Sequence, residues 1–315
     1  MVEPRQLPLF SSEPGGEYDL NPYTELQHAL PLFADHLKKD GKSENTIKAF
    51  IADLRLLAGH AGKGKALGTF QTRHLDAFLH WMEAERGVPC SRKTYARRVT
   101  SLKVFFKWLK TINAINYDPA KAVLQRSGAA PLSYALTPTE IERVLDFSRT
   151  MTRKGELDTR PELLFRLLLG TGMKKSEVMR LTLEDVITGD GPPYLHVHHT
   201  SRNVYKERKV PIDPDWLNLL DDYRVQYKIT DKLFTCTARN LEYILADLAK
   251  GGDVATQISF EIMRWTCAVR DTRAGVDENE IREKMGLSEI SWAETGRKVE
   301  QLVEKQIEQE AAATP

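Results

Sequence analysis

Between Ser91 and Ile112 the chain repeats apolar residues at a spacing that a helix brings to one side. At about 100° per residue, Tyr95, Val99, Leu102, Phe106 and Leu109 form a stripe, and Lys93, Arg97, Lys103, Lys107 and Lys110 lie roughly opposite it. One side can pack while the other meets an anionic partner. No acidic residue lies between Arg86 and Asp118 to balance the seven positive charges there.

The same periodicity organises the neighbours. Leu26, Leu30, Phe33 and Leu37 predict a first helix, and Ser43 opens a second that carries Ile47, Phe50, Leu54 and Leu57. A third is expected near Thr72 to Arg86. Thr137-Pro138-Thr139-Glu140 combines a capping threonine, a proline at the first helical position and the glutamate of a capping box, which predicts a helix over 138–149. Further helices are expected over 161–170, from about Lys175 to Leu181, and over Val299–Glu310, before a frayed AAATP tail. Pro193 to Pro211 is the one clear β stretch, where Tyr194, His196 and His198 alternate with Leu195 and Val197. The fold class that follows is mainly α with a small antiparallel sheet (α+β).

Proline and glycine punctuate the chain. Pro4, Pro8, Pro14, Gly15, Gly16 and Pro22 make residues 1–22 read as a flexible arm, and Arg126-Ser-Gly-Ala-Ala-Pro131 reads as a linker. The resulting division is an arm (1–22), a helical domain (23–126), a linker (127–137), a second domain (138–300), and a C-terminal helix end and tail (301–315). The net charge of +1 hides a split, because residues 23–126 carry nine more positive than negative charges. That block points to nucleic acid, whose bound counterions basic surface releases.

Composition removes other classes. A chain 41% hydrophobic and 28% charged has the material for packed cores. No apolar run reaches the length of a membrane span, and the N-terminus lacks a signal-peptide profile, so no membrane partner is expected. Cys90, Cys236 and Cys267 form no CxxC, and with a reducing compartment the expected location is cytoplasmic and nucleoid-associated. Two of His196, His198 and His199 share a strand face, but no further ligand clusters nearby in sequence; they read as polar strand residues, with no metal and no cofactor expected.

Several strings then stand in a telling order. In the first domain they are Ser43-Glu44-Asn45-Thr46, Asp53-Leu54, Ser91-Arg92-Lys93-Thr94-Tyr95-Ala96-Arg97-Arg98-Val99 and Phe105-Phe106. In the second they are Thr171-Gly172-Met173-Lys174-Lys175-Ser176-Glu177 and Glu207-Arg208-Lys209-Val210-Pro211-Ile212, then Met263-Arg264-Trp265-Thr266, Ala274-Gly275-Val276-Asp277 and Met285-Gly286. From about residue 24 to 300 the chain thus resembles the tyrosine recombinase (phage integrase) family. The resemblance implies a SAM-like core-binding domain followed by a catalytic-type domain. It also implies a chemistry in which a tyrosine hydroxyl attacks a DNA phosphodiester, two arginines stabilise the phosphate charge, and lysine and histidines move protons without metal.

Carried over position by position, the resemblance puts Lys174 at the first arginine and Glu177 at its acidic neighbour. Asn203 falls at the hairpin lysine, with Lys206 nearby. Glu261 takes the histidine position, Arg264 the second arginine, Leu287 the histidine or tryptophan, and Gly296 the tyrosine. No tyrosine follows Tyr243 and no histidine follows His199. The expectation is therefore no enzyme but a catalytically inactive DNA-binding protein, an accessory or regulatory factor in recombination or integration. The alternatives are an active site-specific recombinase completed by a partner subunit, and a protein-interaction module with a vestigial DNA face. Lys93, Arg97, Arg98, Lys103, Lys107, Arg202, Lys206, Arg208 and Arg264 are the expected DNA contacts, an ion pair to Glu261 being the alternative for Arg264. Expected partners are double-stranded DNA and the bacterial sliding clamp, the latter through Gln6, Leu7, Leu9 and Phe10. An intact recombinase or a second copy would dock on the C-terminal helix.

Overall fold

Two units divide the chain after Ala130. The structure is a computed structural model and describes residues 18–62, 64–88, 90–125, 132–199 and 207–313. Gln6, Leu7, Leu9 and Phe10 of the expected clamp motif lie outside the described residues, as do Arg202, Asn203 and Lys206.

In the first unit, α1 (Leu26–Lys39) is followed by α2 (Glu44–Ala61), which starts where the Ser43 hydroxyl accepts the Thr46 N–H at 3.2 Å. Helix α3 (Thr72–His80) runs into a π-helical turn at Trp81–Glu85. Helix α4 (Arg92–Thr111) is capped by Ser91, which accepts from Thr94 N at 3.2 Å. These helices bury Phe33, Leu54, Leu57, Phe78, Leu102, Phe105 and Phe106 together. The buried side of α4 is wider than the predicted stripe and takes in Arg98, Ser101, Phe105 and Trp108.

The end of the predicted arm needs correction. Tyr18 and Leu20 are buried, Tyr18 meets Trp108 edge-on at 5.3 Å, and Gly68 N–H donates to Pro22 O at 2.8 Å. The apolar side chains of Tyr18 and Leu20 are enough to draw this end of the arm onto the core, since burial removes their surface from water.

The second unit opens with α5 (Pro138–Ser148), where the capping box forms: Glu140 N donates to Thr137 Oγ1 at 3.3 Å and Thr137 N to Glu140 Oε2 at 2.9 Å. Next comes a hairpin of β1 (Thr152–Arg153) and β2 (Glu156–Leu157), so the sequence reading of a single β stretch was incomplete. Its two-residue turn holds Lys154 at φ 55° and Gly155 at φ 87°, the handedness that joins twisted antiparallel strands. After α6 (Thr159–Thr171) and α7 (Lys175–Val178), strands β3 (Val186–Ile187), β4 (Tyr194–Val197) and β5 (Arg208–Pro211) pair antiparallel in that order. The β4–β5 register sets His196 against Lys209 and Val197 against Arg208, with Leu195, Val197 and Val210 buried.

Helices α8 (Pro214–Tyr227), α9 (Ala238–Gly251), α10 (Phe260–Arg273), α11 (Glu278–Lys284) and α12 (Glu289–Ala313) complete the unit. Two boundaries differ from the sequence reading. Ala135 and Leu136 of the expected linker are buried here: Leu136 N donates to Thr266 Oγ1 at 3.0 Å, and Gln306 Nε2 donates to the carbonyls of Ala135 and Leu136 at 3.1 Å each. The last helix begins ten residues before Val299 and runs through the alanines expected to fray. It is anchored by buried Leu302 and Gln306 and by the fork of Arg273 on Glu310 at 2.7 and 2.8 Å. No helix among the described residues is long and apolar enough to cross a membrane.

Candidate functional site

In the first unit the expected DNA face separates into two kinds of cation. Arg98 falls between Tyr95 and Leu102 at helical spacing and turns inward; its side chain is 8% exposed. It donates to Cys90 Sγ at 2.8 Å and lies 3.6 Å from Asp53 Oδ1. Arg97 donates through one nitrogen to Asp53 Oδ2 at 2.6 Å and to Ala49 O at 3.1 Å, while Ser101 Oγ adds a bond to Asp53 at 2.8 Å. Both arginines were expected on DNA, and within the unit a buried carboxylate engages them, because a carboxylate out of water needs cations and donors around it. Lys93, Lys107 and Lys110 are exposed and Lys103 is half-buried, so the lysines keep the outward role.

Burial is the largest influence on Asp53 and lifts its carboxyl above the ordinary range, against the pull of Ser101, Arg97 and Arg98. The sequence signal for this pairing is thin: Asp53 stands beside Leu54 in α2, and nothing local shows which arginines it faces.

In the second unit the motif segments converge. Gly172 ends α6 in the left-handed region at φ 56°, and a side chain there would strike Met285 Sδ at 2.7 Å. Lys174 caps α7, and its N–H donates to Glu177 Oε2 at 2.8 Å. Arg208, from the first position of β5, forks Glu177 through Nη1 to Oε1 at 3.1 Å and Nη2 to Oε2 at 2.8 Å, and its Nε donates to Lys284 O at 2.9 Å. Gly286, at φ 61°, lets that guanidinium pass, since a Cβ would lie 2.8 Å from Nη1. Arg264 donates to Gly172 O and, at 3.0 Å, to Met285 O.

Two arginines therefore stitch the segments after α6, at β5 and after α11 into one node. Arg208, expected on DNA, has a side chain only 10% exposed and all of its nitrogens occupied internally. Arg264 bonds backbone carbonyls in place of the expected ion pair to Glu261. Burial also lowers its hold on its proton relative to an exposed arginine. For Glu177, burial pushes the carboxyl up, but the bonds and charge of Arg208, with the Lys174 N–H, outweigh it and leave the group below its ordinary range.

The other positions given by the resemblance are spread around this node. Lys174 lies 4.0 Å from Glu177 at the surface. Glu261 is exposed and, with Lys175, Arg239, Glu242 and Tyr243, lines a surface cleft of ≈ 760 Å³. Leu287 is half-buried. Gly296 is buried in α12, where a Cβ would lie 3.0 Å from Trp292 Nε1.

The histidine reading also needs correction. Glu207, just before β5, comes across from His198 and brings a carboxylate to His196 and His198, so a third donor does cluster there. The signal was available in the hairpin itself, because antiparallel pairing sets the residue before one strand opposite the residue after the other.

Comparison with known proteins places this geometry. Residues 30–112 match the model of the phage integrase N-terminal SAM-like domain, and residues 135–297 match that of the phage integrase family. The chain belongs to the phage integrase family. Among similar proteins is the tyrosine recombinase XerD of Listeria monocytogenes serotype 4b (strain F2365), 26% identical over 270 residues, or 80% of this chain and 86% of that protein. The tyrosine recombinase XerC of Mycobacterium leprae (strain TN) is 29% identical over 162 residues, 50% and 54% of the two chains. The fold is shared with XerH site-specific recombinase bound to a palindromic difH substrate, at TM-score 0.69 and 17% identity over 89% of this chain and 84% of that one. It is shared too with a lambda integrase dimer bound to a COC' core site, at TM-score 0.68 and 12% identity over 89% and 77%.

These matches settle the class as a tyrosine recombinase family chain of DNA recombination. They overturn the expectation that it is no enzyme, because relatives matching four-fifths of its length are named tyrosine recombinases and the family's second domain spans residues 135–297.

Proposed function

We propose that this chain binds duplex DNA as one subunit of a recombinase assembly and takes part in strand exchange with the attacking hydroxyl supplied by a neighbouring subunit. One contrast carries the reading. Lys174, Glu177, Arg208 and Arg264 still converge at the node, whereas no tyrosine follows Tyr243 and the position corresponding to the family tyrosine is the buried Gly296. Duplex binding draws support from the exposed Lys93, Lys107 and Lys110 on α4, since phosphate contacts need positive groups and not a reactive constellation. Assembly draws support from fold relatives described as a DNA-bound dimer and as a tetramer on a Holliday junction.

Nicked suicide duplexes test the reading. The chain, an intact Xer-type tyrosine recombinase, and their mixture are each incubated with the duplex, and covalent protein–DNA adducts are resolved under denaturing conditions. The mixture should yield more adduct than the intact recombinase alone, with the linkage on that partner's tyrosine. An unchanged yield, or an adduct on this chain's own side chain, would sink the proposal of a hydroxyl supplied in trans.

A further inference from the structure

We infer that the β4–β5 hairpin is a binding site for a divalent transition-metal ion, Zn²⁺ by its donor set, held by His196, His198 and Glu207. His196 lies on β4 and His198 one residue past its end, two positions on, so the extended chain sets both toward the same outward side, while Leu195 and Val197 point into the core. Their rings lie 4.2 Å apart. Glu207 reaches both: Oε2 is 3.5 Å from His196 Nε2 and Oε1 is 3.4 Å from His198 Nδ1. One donor atom from each of the three residues lies within 4.8 Å of the others. Tetrahedral zinc with bonds of about 2.0–2.2 Å sets neighbouring donors roughly 3.3–3.5 Å apart. Ordinary nitrogen–oxygen hydrogen bonds are shorter, about 2.7–3.2 Å.

A second observation comes from behind the ring. Asp185 is buried, and its Oδ2 is occupied by Thr182 N at 2.8 Å and Thr182 Oγ1 at 3.0 Å. Its other oxygen lies 3.0 Å from His198 Nε2. A neutral His198 that donates Nε2–H to this carboxylate turns its Nδ1 lone pair toward Glu207, the arrangement by which an outer carboxylate orients a metal-binding histidine. A neutral imidazole would then aim a lone pair at an anionic oxygen, and a cation between them turns that repulsion into two bonds. Three protein donors leave a fourth position for water. The donor set of two imidazoles and one carboxylate suits zinc or nickel and not magnesium.

The test uses the untagged full-length chain, equilibrated with Zn²⁺, with Ni²⁺, or with excess Mg²⁺, and assayed by calorimetry and by metal content after dialysis. One Zn²⁺ per chain is expected, with Mg²⁺ unable to displace it. His196→Gln and Glu207→Gln should each weaken binding at least tenfold, and Asp185→Asn, which touches no metal, about ten- to hundredfold. Circular dichroism of each variant checks that the fold is retained. The ¹⁵N shift of His198 Nδ1 on adding Zn²⁺ reports ligation directly. Loss of zinc on dialysis, equal binding by wild type and Glu207→Gln, or an unmoved Nδ1 resonance would each overturn the assignment and leave a hydrogen-bonded histidine pair.

Discussion

Asp53 and Glu177 are both buried carboxylates facing arginine, yet their acidities move in opposite directions. The difference is in the donors. Asp53 receives one nitrogen of Arg97 and a serine hydroxyl, while Arg98 stays at 3.6 Å. Glu177 receives both prongs of Arg208 and a backbone N–H. A fork with matched geometry offsets the cost of burial, and one guanidinium nitrogen with a hydroxyl does not. In both units the arginines serve internal carboxylates or carbonyls, and on α4 the lysines face outward.

The comparison breaks most visibly at Arg208. Replacing it with alanine strands Glu177, and urea unfolding should report a loss of about 3–5 kcal/mol. Arg97→Ala leaves Ser101 on Asp53 and should cost less, about 1.5–3 kcal/mol. Equal losses would mean that the fork is no stronger than the single contact. Gly286→Ala should cost about 1–3 kcal/mol, from the left-handed backbone and the approach to Arg208. Combined with Arg208→Ala, that penalty should shrink, because the guanidinium it strikes is gone.

Outward and inward cations separate in DNA titrations. Lys93→Ala and Lys107→Ala should each flatten the salt dependence of duplex binding, by about 0.9 in log–log slope for each phosphate no longer neutralised. Arg98→Lys should leave that slope unchanged; a drop equal to the lysines' would put Arg98 on the DNA.

The smallest effect is the pH dependence, and it should differ in sign between the two sites. The lowered Glu177 contributes stability above its unfolded value, near 4.3, that is lost as pH falls through its folded value. Glu177→Gln should remove that acid-side loss. The raised Asp53 does the reverse: its contribution is greatest below its unfolded value, near 3.9, and falls as pH rises through its folded value. Asp53→Asn should remove that decline. Parallel pH profiles for the two variants would erase the distinction.

Much of the fold was legible because it is local. Ser43, Ser91 and Thr137 cap the helices that their neighbours predicted, and the alternation from Tyr194 gives β4. The β1–β2 hairpin escaped because Lys154-Gly155 is a weaker turn signal than asparagine–glycine, and its strands are two residues each. The site was legible as a set of positions and illegible as charges. Whether Arg97, Arg98, Arg208 and Arg264 meet DNA or protein depends on Asp53, Glu177, Gly172 and Met285, some tens of residues away. Glu207 was in plain view beside Arg208, but its meaning lay across the hairpin in His198.

Gln306 grips carbonyls 170 and 171 positions earlier in the chain. During synthesis those two carbonyls must therefore wait, wetted by solvent, until Gln306 has left the ribosome. Contacts of such long range close last and slowly. The second unit should accordingly lock only once residue 306 has emerged, giving the nascent protein an interval in which its earlier helices are formed but not yet sealed.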